Sequence, residues 1–279
     1  DRSIRDNPSM TPSLPDPPAA LCATAVAAGL SASPVDYRIE TFATIDSTSS
    51  ELKRRAGDGS IDALVLAAET QTAGRGRLGR TWVDQPGGSL LFSFGWRAPV
   101  PATGLAGLSL AVGVGVATVL TRSGVNNVQL KWPNDLLFQH CKFGGILVET
   151  INPQPACVDV VIGIGINVRL AAGMRDAVSA PVTDLAPAGW KGDRNGLLAA
   201  LLVELAAVLE RFGREGFGPF RAAWLARHAL QQRNVTIWSA GHEIAAGRAI
   251  DVDADGALLL QTAAGVRRLL SGELTLRPG

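Results

Sequence analysis

Two regions of the chain concentrate residues that can hold an anion. The first, TAGRGRLGR (Thr72–Arg80), sets Arg75, Arg77 and Arg80 among Gly74, Gly76 and Gly79 with no acidic side chain between them. Farther along, KWPNDLL (Lys131–Leu137) and KFGGILVET (Lys142–Thr150) add Lys131, Lys142 and the carboxylate of Asp135. Arginine offers a rigid fork of N–H donors. Glycine, lacking Cβ, lets backbone N–H groups come close to a charged oxygen. The chemistry these types suit is the binding of an anion beneath a loop that orders over it. Taken singly, each piece has a structural explanation: Lys131 as a solvated strand end, Pro133-Asn134-Asp135 as a turn, Lys142 as a lysine flanking a hairpin. Together, three arginines, two lysines and one acid border strands able to lie side by side.

Other motifs imitate better-known ones. Gly74-x-x-x-x-Gly79-Arg80-Thr81 has the spacing of a phosphate-binding P-loop with Arg80 in the lysine's place, but a P-loop runs into a helix and WVDQPGGS leads to a strand instead. An RGG-type nucleic-acid tail repeats and interleaves aromatics, whereas this loop occurs once, between two strands. GVGVAT (from Gly113) and GIGINV (from Gly163) both lack the third glycine of a dinucleotide fingerprint. The first lies in an apolar helix pattern and reads as close packing on a sheet. The second ends a strand, where alternate glycines leave one sheet face bare for a flat ligand.

The elements that must position these residues follow from pattern. Strands are expected at Tyr37–Ile45, Ala63–Glu69, Ser89–Trp96, Val128–Trp132, Asp135–Gln139, Gly145–Ile151 and Val158–Val168. A helix starts after Asp46, capped by Ser47 or Thr48; others are expected at 102–122, Asp193–Phe212 and Phe217–Leu230. Strands interleaved with few helices, and helices arriving late, indicate an α+β fold with a mixed β-sheet and flanking helices. From Asn234 onward, short strands between SAGHE, DADG and AAG fit a small β-barrel of SH3 size. The expected division is a loosely ordered leader over 1–36 with one short helix at Ala19–Gly29, a main unit over 37–232 and the barrel over 233–279.

Bulk properties restrict the function further. With 26 Lys+Arg against 25 Asp+Glu, the net charge of +1 advertises neither nucleic acid nor a membrane surface, so basic function is local. The uncharged run inside 102–122 raises a membrane span, but Gly107, Gly113 and Gly115 interrupt it and a buried helix is the expectation. Three cysteines without C-x-x-C pairing suit a reducing compartment, here the cytoplasm, and three scattered histidines argue against a histidine-built metal site.

Ser47-Thr48 after TID, then QTAGRGRLGRTW, KWPND, KFGGILVE and GIGIN, in that order and at these intervals, resemble the biotin protein ligases. These enzymes adenylate biotin and attach it to a lysine of carboxylase carrier domains. The likeness runs from about residue 40 to 277. It implies a mixed sheet related to class II aminoacyl-tRNA synthetases followed by an SH3-like domain. It also implies that Lys142 stabilises the substrate carboxylate and the charge building on phosphorus, with Arg75 and Arg77 as catalytic partners in a loop that folds over biotin and its adenylate. Ser47, Thr48, Ser49, Gln71, Gly76, Gly145 and Asn167 join Arg75, Arg77 and Lys142 as the implied biotin set. Arg77, Arg80, Trp82, Lys131, Asn134 and Asp135 are implied for ATP, with Trp82 near the adenine and Asp135 holding Mg2+.

The resemblance makes sense of the residue types. Biotin's carboxylate has to meet the α-phosphate of ATP, and two such charges 4 Å apart repel by roughly 4 kcal/mol at an effective dielectric of 20. The substrate's own carboxylate attacks, so no nucleophilic Ser, Cys or His is required. Ser49 departs from the family's commoner Asn, which implies weaker affinity for the biotin ring rather than lost activity; Phe143 and Gly144 in KFGG, for the commoner KLAG or KVAG, imply little change. The implied partner is a biotin carboxyl carrier protein, with no nucleic acid and no membrane, and a homodimer is left open. Three alternatives stand beside this reading. They are a lipoate or octanoate ligase of the same fold, a bifunctional ligase and repressor, for which residues 1–35 are short and proline-rich, and a non-catalytic biotin-binding module.

Overall fold

A computed structural model describes residues 19–171, 173, 181–270 and 274–278. Seven strands form the main sheet: β1 (Arg38–Ile45), β2 (Leu64–Gln71), β3 (Ser89–Ala98), β4 (Gln129–Lys131), β5 (Asp135–Phe138), β6 (Cys141–Ile151) and β7 (Val158–Asn167), in the order β1-β2-β3-β7-β6-β5-β4. β1 and β2 run parallel and every other neighbouring pair is antiparallel, giving the mixed sheet expected. The helices are α1 (Ala23–Ala28), α2 (Thr48–Arg55), α3 (Leu108–Arg122), α4 (Arg194–Glu215) and α5 (Arg221–Leu225).

The period-two alternation of the strands decides what lies on each face. Val65 and Ala67 of β2, Phe92 and Phe94 of β3, and Ile162, Ile164 and Ile166 of β7 are buried in one core with α3 and α4. Leu64 and Leu66 of β2 and Val161 of β7 pack with Leu52 of α2 on the other face. That second face, continued along β3 and β7, carries Ser93, Gly163, Gly165 and Asn167.

The segment 102–122 is long and apolar enough to cross a membrane by length and composition alone. Its apolar side chains are nonetheless packed away, with α3 set against α4 and the sheet. Gly107, at φ 78°, separates a short 3-10 turn from α3, and an ideal Cβ there would come within 2.6 Å of Phe217. Gly113 faces Ile146 and Leu130 of the sheet with ordinary room, whereas Gly115 is crowded by Val208 and Leu205 of α4. Close packing therefore serves the helix pair at Gly115 more than the sheet.

The helix expected over Phe217–Leu230 is much shorter, because α5 stops at Leu225. The chain then turns to cover the exposed edge of β4: Leu130 N–H donates to Arg227 O at 2.8 Å and Ala229 N–H to Leu130 O at 2.9 Å. Satisfying the edge strand's backbone outweighs continued helical periodicity. Residues 1–18 of the expected leader lie outside the described residues; the rest carries α1, whose Val26 is fully buried.

The last five strands, β8 (Asn234–Ser239), β9 (His242–Val252), β10 (Leu258–Thr262), β11 (Gly265–Leu269) and β12 (Leu274–Pro278), form an antiparallel sheet in the order β11-β10-β9-β8-β12. Its apolar side chains join the main core. Trp132 Nε1 donates to Gly256 O at 3.1 Å, and Arg221 of α5 pairs with Asp251 of β9.

His228, just beyond α5, is buried and packs at a tilt of 34° against Trp224, 4.5 Å between ring centroids. Burial pushes its pKa down to about 4 from the ordinary 6.5, although a contact with Gln231 works the other way. Between those values the unfolded chain binds the extra proton, so stability falls as pH falls. A His228→Phe variant should accordingly lose less stability than the wild type between pH 6.5 and pH 4, by about 3 kcal/mol, in urea unfolding followed across that window.

Candidate active site

Backbone register lays the site out in rows. Lys131 of β4 faces Asp135 of β5, Asp135 faces Gly145 of β6, Gly145 faces Gly165 of β7, and Gly165 faces Leu91 of β3. In the adjacent row Leu147, Gly163 and Ser93 are neighbours. Charge sits at one end, a bare glycine floor in the middle, and hydroxyl groups at the far end. An ideal Cβ on Gly165 would come within 2.8 Å of the Trp82 indole, and one on Gly145 within 3.4 Å of the same ring. The flat group lying on the bare face is therefore Trp82 itself.

The arginine loop forms the roof as a small hairpin. Trp82 N–H donates to Gly74 O at 3.0 Å, Gly76 N–H to Arg80 O at 2.7 Å, and Arg75 bridges Thr81 across the pair. Leu78 takes up a left-handed turn conformation at φ 59°. The chain continues to β3 through 83–88 rather than into a long helix, so the P-loop reading lacks its structural context. Roof and floor border an open cavity of about 1790 Å³.

Every site residue singled out from the sequence lines this cavity. At the charged end, Lys142 Nζ stands 2.6 Å from Asp135 Oδ1 and Lys131 Nζ 3.2 Å from Oδ2. A β-bulge between Leu136 and Leu137, where β5 meets β6, accompanies this approach. Burial alone would push the Asp135 carboxyl up, but Lys142 and then Lys131 outweigh it and hold the group below the usual carboxylate range. The Lys142 ammonium is also 5.6 Å from the Trp82 ring centroid. Asn134 bonds both ways with Ile146, at 2.8 and 3.0 Å, and lies 3.4 Å from Arg77 Nη1. Arg75 is turned toward Glu149 at 3.1 Å, an acid it shares with Lys53. Arg80 is exposed at the rim.

At the hydroxyl end, Ser47 caps α2 by accepting from Ser50 N–H at 3.3 Å. Gln71 Oε1 accepts from Thr48 N–H at 2.8 Å and from its hydroxyl at 3.2 Å. Ser93 Oγ lies 2.7 Å from Thr48 Oγ1 and 2.9 Å from Ser49 Oγ. A hydroxyl has one proton, so Thr48's donation to Gln71 makes Ser93 the donor to Thr48 and Ser49 the donor to Ser93. Asn167 turns its amide to Thr183 O at 3.1 Å, leaving its own oxygen buried without a partner.

Sequence reasoning missed Glu149 and four residues that border the cavity: Ser93, Arg233 just before the terminal sheet, and Arg248 and Arg277 within it. Ser93 carried a readable signal, being a lone polar residue inside the apolar strand LLFSFGW. The arginines carried none, because their placement depends on how the two sheets pack.

Among the described residues no group of three or more His, Cys, Asp or Glu side chains could hold a metal. Asp135 is the one acid among the described residues lining the cavity. Mg2+ commonly takes one carboxylate and completes its shell with phosphates and water, and each carboxylate oxygen has two lone pairs. The residues present therefore fit a magnesium ion carried in on a phosphate ligand, and not a self-contained protein cage.

Comparison with known proteins agrees with this layout. The Biotin/lipoate A/B protein ligase family matches residues 42–167, and the Biotin protein ligase C terminal domain matches residues 233–277. The bifunctional ligase/repressor BirA of Escherichia coli K12 is 38% identical over 240 residues, covering 86% of this chain and 74% of that protein. This chain belongs to the biotin protein ligase family. The biotin--[acetyl-CoA-carboxylase] ligase of Mycobacterium tuberculosis is 35% identical over 80% of this chain and 83% of its own length. The biotin protein ligase of Aquifex aeolicus, solved in complex with biotin and ATP, superposes with a TM-score of 0.75 at 29% identity, covering 87% of this chain and 99% of that one.

In this family member Asp135 is the tie between two ammonium groups, so Asp135→Asn should cost about 2–3 kcal/mol at pH 7, less than a fully buried pair because Lys142 is 34% exposed. The carboxyl is held low in the folded state, so its contribution is present above the ordinary carboxylate pKa and lost as pH falls through the folded value. Urea unfolding should thus show the gap between variant and wild type closing below about pH 4.

Proposed function

We propose that this chain is a biotin protein ligase. It activates biotin with ATP to biotinyl-5'-AMP and then transfers biotin to a lysine of a biotin carboxyl carrier protein. The observation that supports the reading most directly is the pair of ammonium groups, Lys131 and Lys142, gathered on one carboxylate at the end of a glycine floor. On this reading the chain divides into residues 1–36, a catalytic unit over 37–232 and the terminal barrel over 233–279.

The biotin ring lies at the hydroxyl end, where Ser47, Thr48, Ser49 and Gln71 match its ureido donors and acceptors, with Ser93 behind them. Gly76, Gly145 and Asn167 border the ring and chain. A buried polar pocket of this kind rejects an acid lacking the ureido group, because its own donors would be left unpaired. The biotin carboxylate reaches Lys142, which leaves Asp135 to hold it. Arg75 and Arg77 close over the acid and the nucleotide, while Arg80, Lys131 and Asn134 hold phosphate oxygens and Trp82 moves beside the adenine.

A carboxylate oxygen of biotin forms a bond to the α-phosphorus as the bond to pyrophosphate breaks. Lys142 and the two arginines stabilise the negative charge that gathers there. A deprotonated lysine of the carrier then attacks the acyl carbon, the bond to AMP breaks, and an amide remains. Magnesium neutralises polyphosphate charge when bound, and Asp135 beside Asn134 is the residue that would hold it. Closure of the roof keeps water from the adenylate. The chemistry requires neither nucleic acid nor a membrane, it operates in a monomer or a homodimer, and three free cysteines suit the cytoplasm.

Purified protein given ATP and magnesium should exchange pyrophosphate with biotin and not with lipoate. Exchange with lipoate alone would transfer the chain to the lipoate branch. Lys142→Ala should lower adenylation by about 100- to 1000-fold while biotin binding stays measurable by calorimetry. Trypsin should cut after Arg75, Arg77 or Arg80 in the free protein, and biotin with ATP should slow that cut. Equal rates would remove closure from the mechanism.

A further inference from the structure

We propose that Arg194, which borders none of the cavity, is a positioning residue for the arginine loop and clamps both of its bases to the start of α4. Its side chain is almost wholly buried. One guanidinium nitrogen, Nη1, donates to Glu69 Oε2 at 2.7 Å and to Ser89 O at 3.1 Å. The other, Nη2, donates to Glu69 Oε1 at 2.9 Å and to Ala19 O at 2.8 Å. Glu69 lies just before the end of β2, and Ser89 is the first residue of β3. One side chain thus ties the carboxylate of a residue near the end of the strand that enters the loop to the backbone of the first residue of the strand that leaves it.

Glu69 extends the knot. It also accepts from Leu21 N–H at 2.6 Å, tying the segment before α1 to the same carboxylate. Asn195, next to Arg194, accepts from Cys22 N–H at 2.9 Å and donates to Ala20 O at 3.0 Å. Fold stability alone does not call for this arrangement, since apolar side chains of similar volume commonly serve as well as a buried ion pair. What a guanidinium adds is direction: its planar fork fixes two carboxylate oxygens and two carbonyls in one geometry. The Nε–H is left buried without a partner, so the fork is oriented for the loop bases at the expense of its own satisfaction.

The inference rests on the reading of this loop as the roof that closes over biotin. Loosening the bases lets the free loop sample more open arrangements, and binding must then order it from a wider ensemble. Once closed, the roof meets the reacting groups as before. The signature of a positioning role is therefore a raised KM for biotin with kcat nearly unchanged. A merely structural role gives the opposite split, because partial unfolding removes active molecules and lowers kcat while KM stays fixed.

The test uses the full chain with Arg194→Lys, which keeps the charge and loses the fork, and Glu69→Gln, which keeps the shape and loses the charge. The second variant decides the matter should the first fail to fold. Both are compared with wild type well below their melting temperatures. We expect trypsin cleavage of the ligand-free loop to accelerate severalfold, and KM for biotin in pyrophosphate exchange to rise on the order of tenfold with kcat within about twofold. Unchanged loop cleavage, or a fall in kcat at constant KM, would overturn the proposal. Should wild-type protein make no adenylate, the assignment of function falls, and the trypsin comparison still decides the clamp because it needs no ligand.

Discussion

The site depends on one carboxylate between two ammonium groups. Without Asp135, Lys131 and Lys142 would repel each other from the strands on either side of β5; with it they sit together at the end of a glycine floor, half-desolvated and aimed at the same space. The arrangement leaves two cations positioned for a ligand that is itself anionic, and the acid exchanges one partner for another when such a ligand enters. The sheet's register supplies the geometry, since cross-strand neighbours put Lys131, Asp135, Gly145 and Gly165 in a single row.

Much of this was legible in the amino-acid order, and the reasons are physical. The alternation in VDVVIGIGIN announced a strand with one apolar face and one bare face, because strand side chains alternate whatever the fold. Ser47 marked a helix start through side-chain capping, which is a local interaction, and the helical pattern from Asp193 is realised with Asp193 itself accepting from Gly196 N–H. The functions of the arginine loop and of KWPND became specific only through resemblance to a family; charge and glycine content alone stopped at anion binding.

What escaped was whatever depends on distant packing. The apolar stretch after Phe217 has helical periodicity, yet the unpaired edge of β4 captures it after one and a half turns. Arg194 reads locally as the first residue of a helix, and nothing near it in the sequence indicates that its partners lie at residues 19, 69 and 89. Ser93 is an intermediate case, visible as an oddity in an apolar strand but without a role until Thr48 and Ser49 are placed against it.

The indole resting on Gly165 also bears on the thermodynamics of recognition. A ligand that takes the glycine floor exchanges with a ring already lying there, so the apolar surface newly removed from water is smaller than the ligand's own contact area. Heat released on association then reflects polar contacts and rearrangement of the roof more than dehydration, and the accompanying change in heat capacity is correspondingly modest. Until such an exchange takes place, the indole itself keeps the glycine floor away from water.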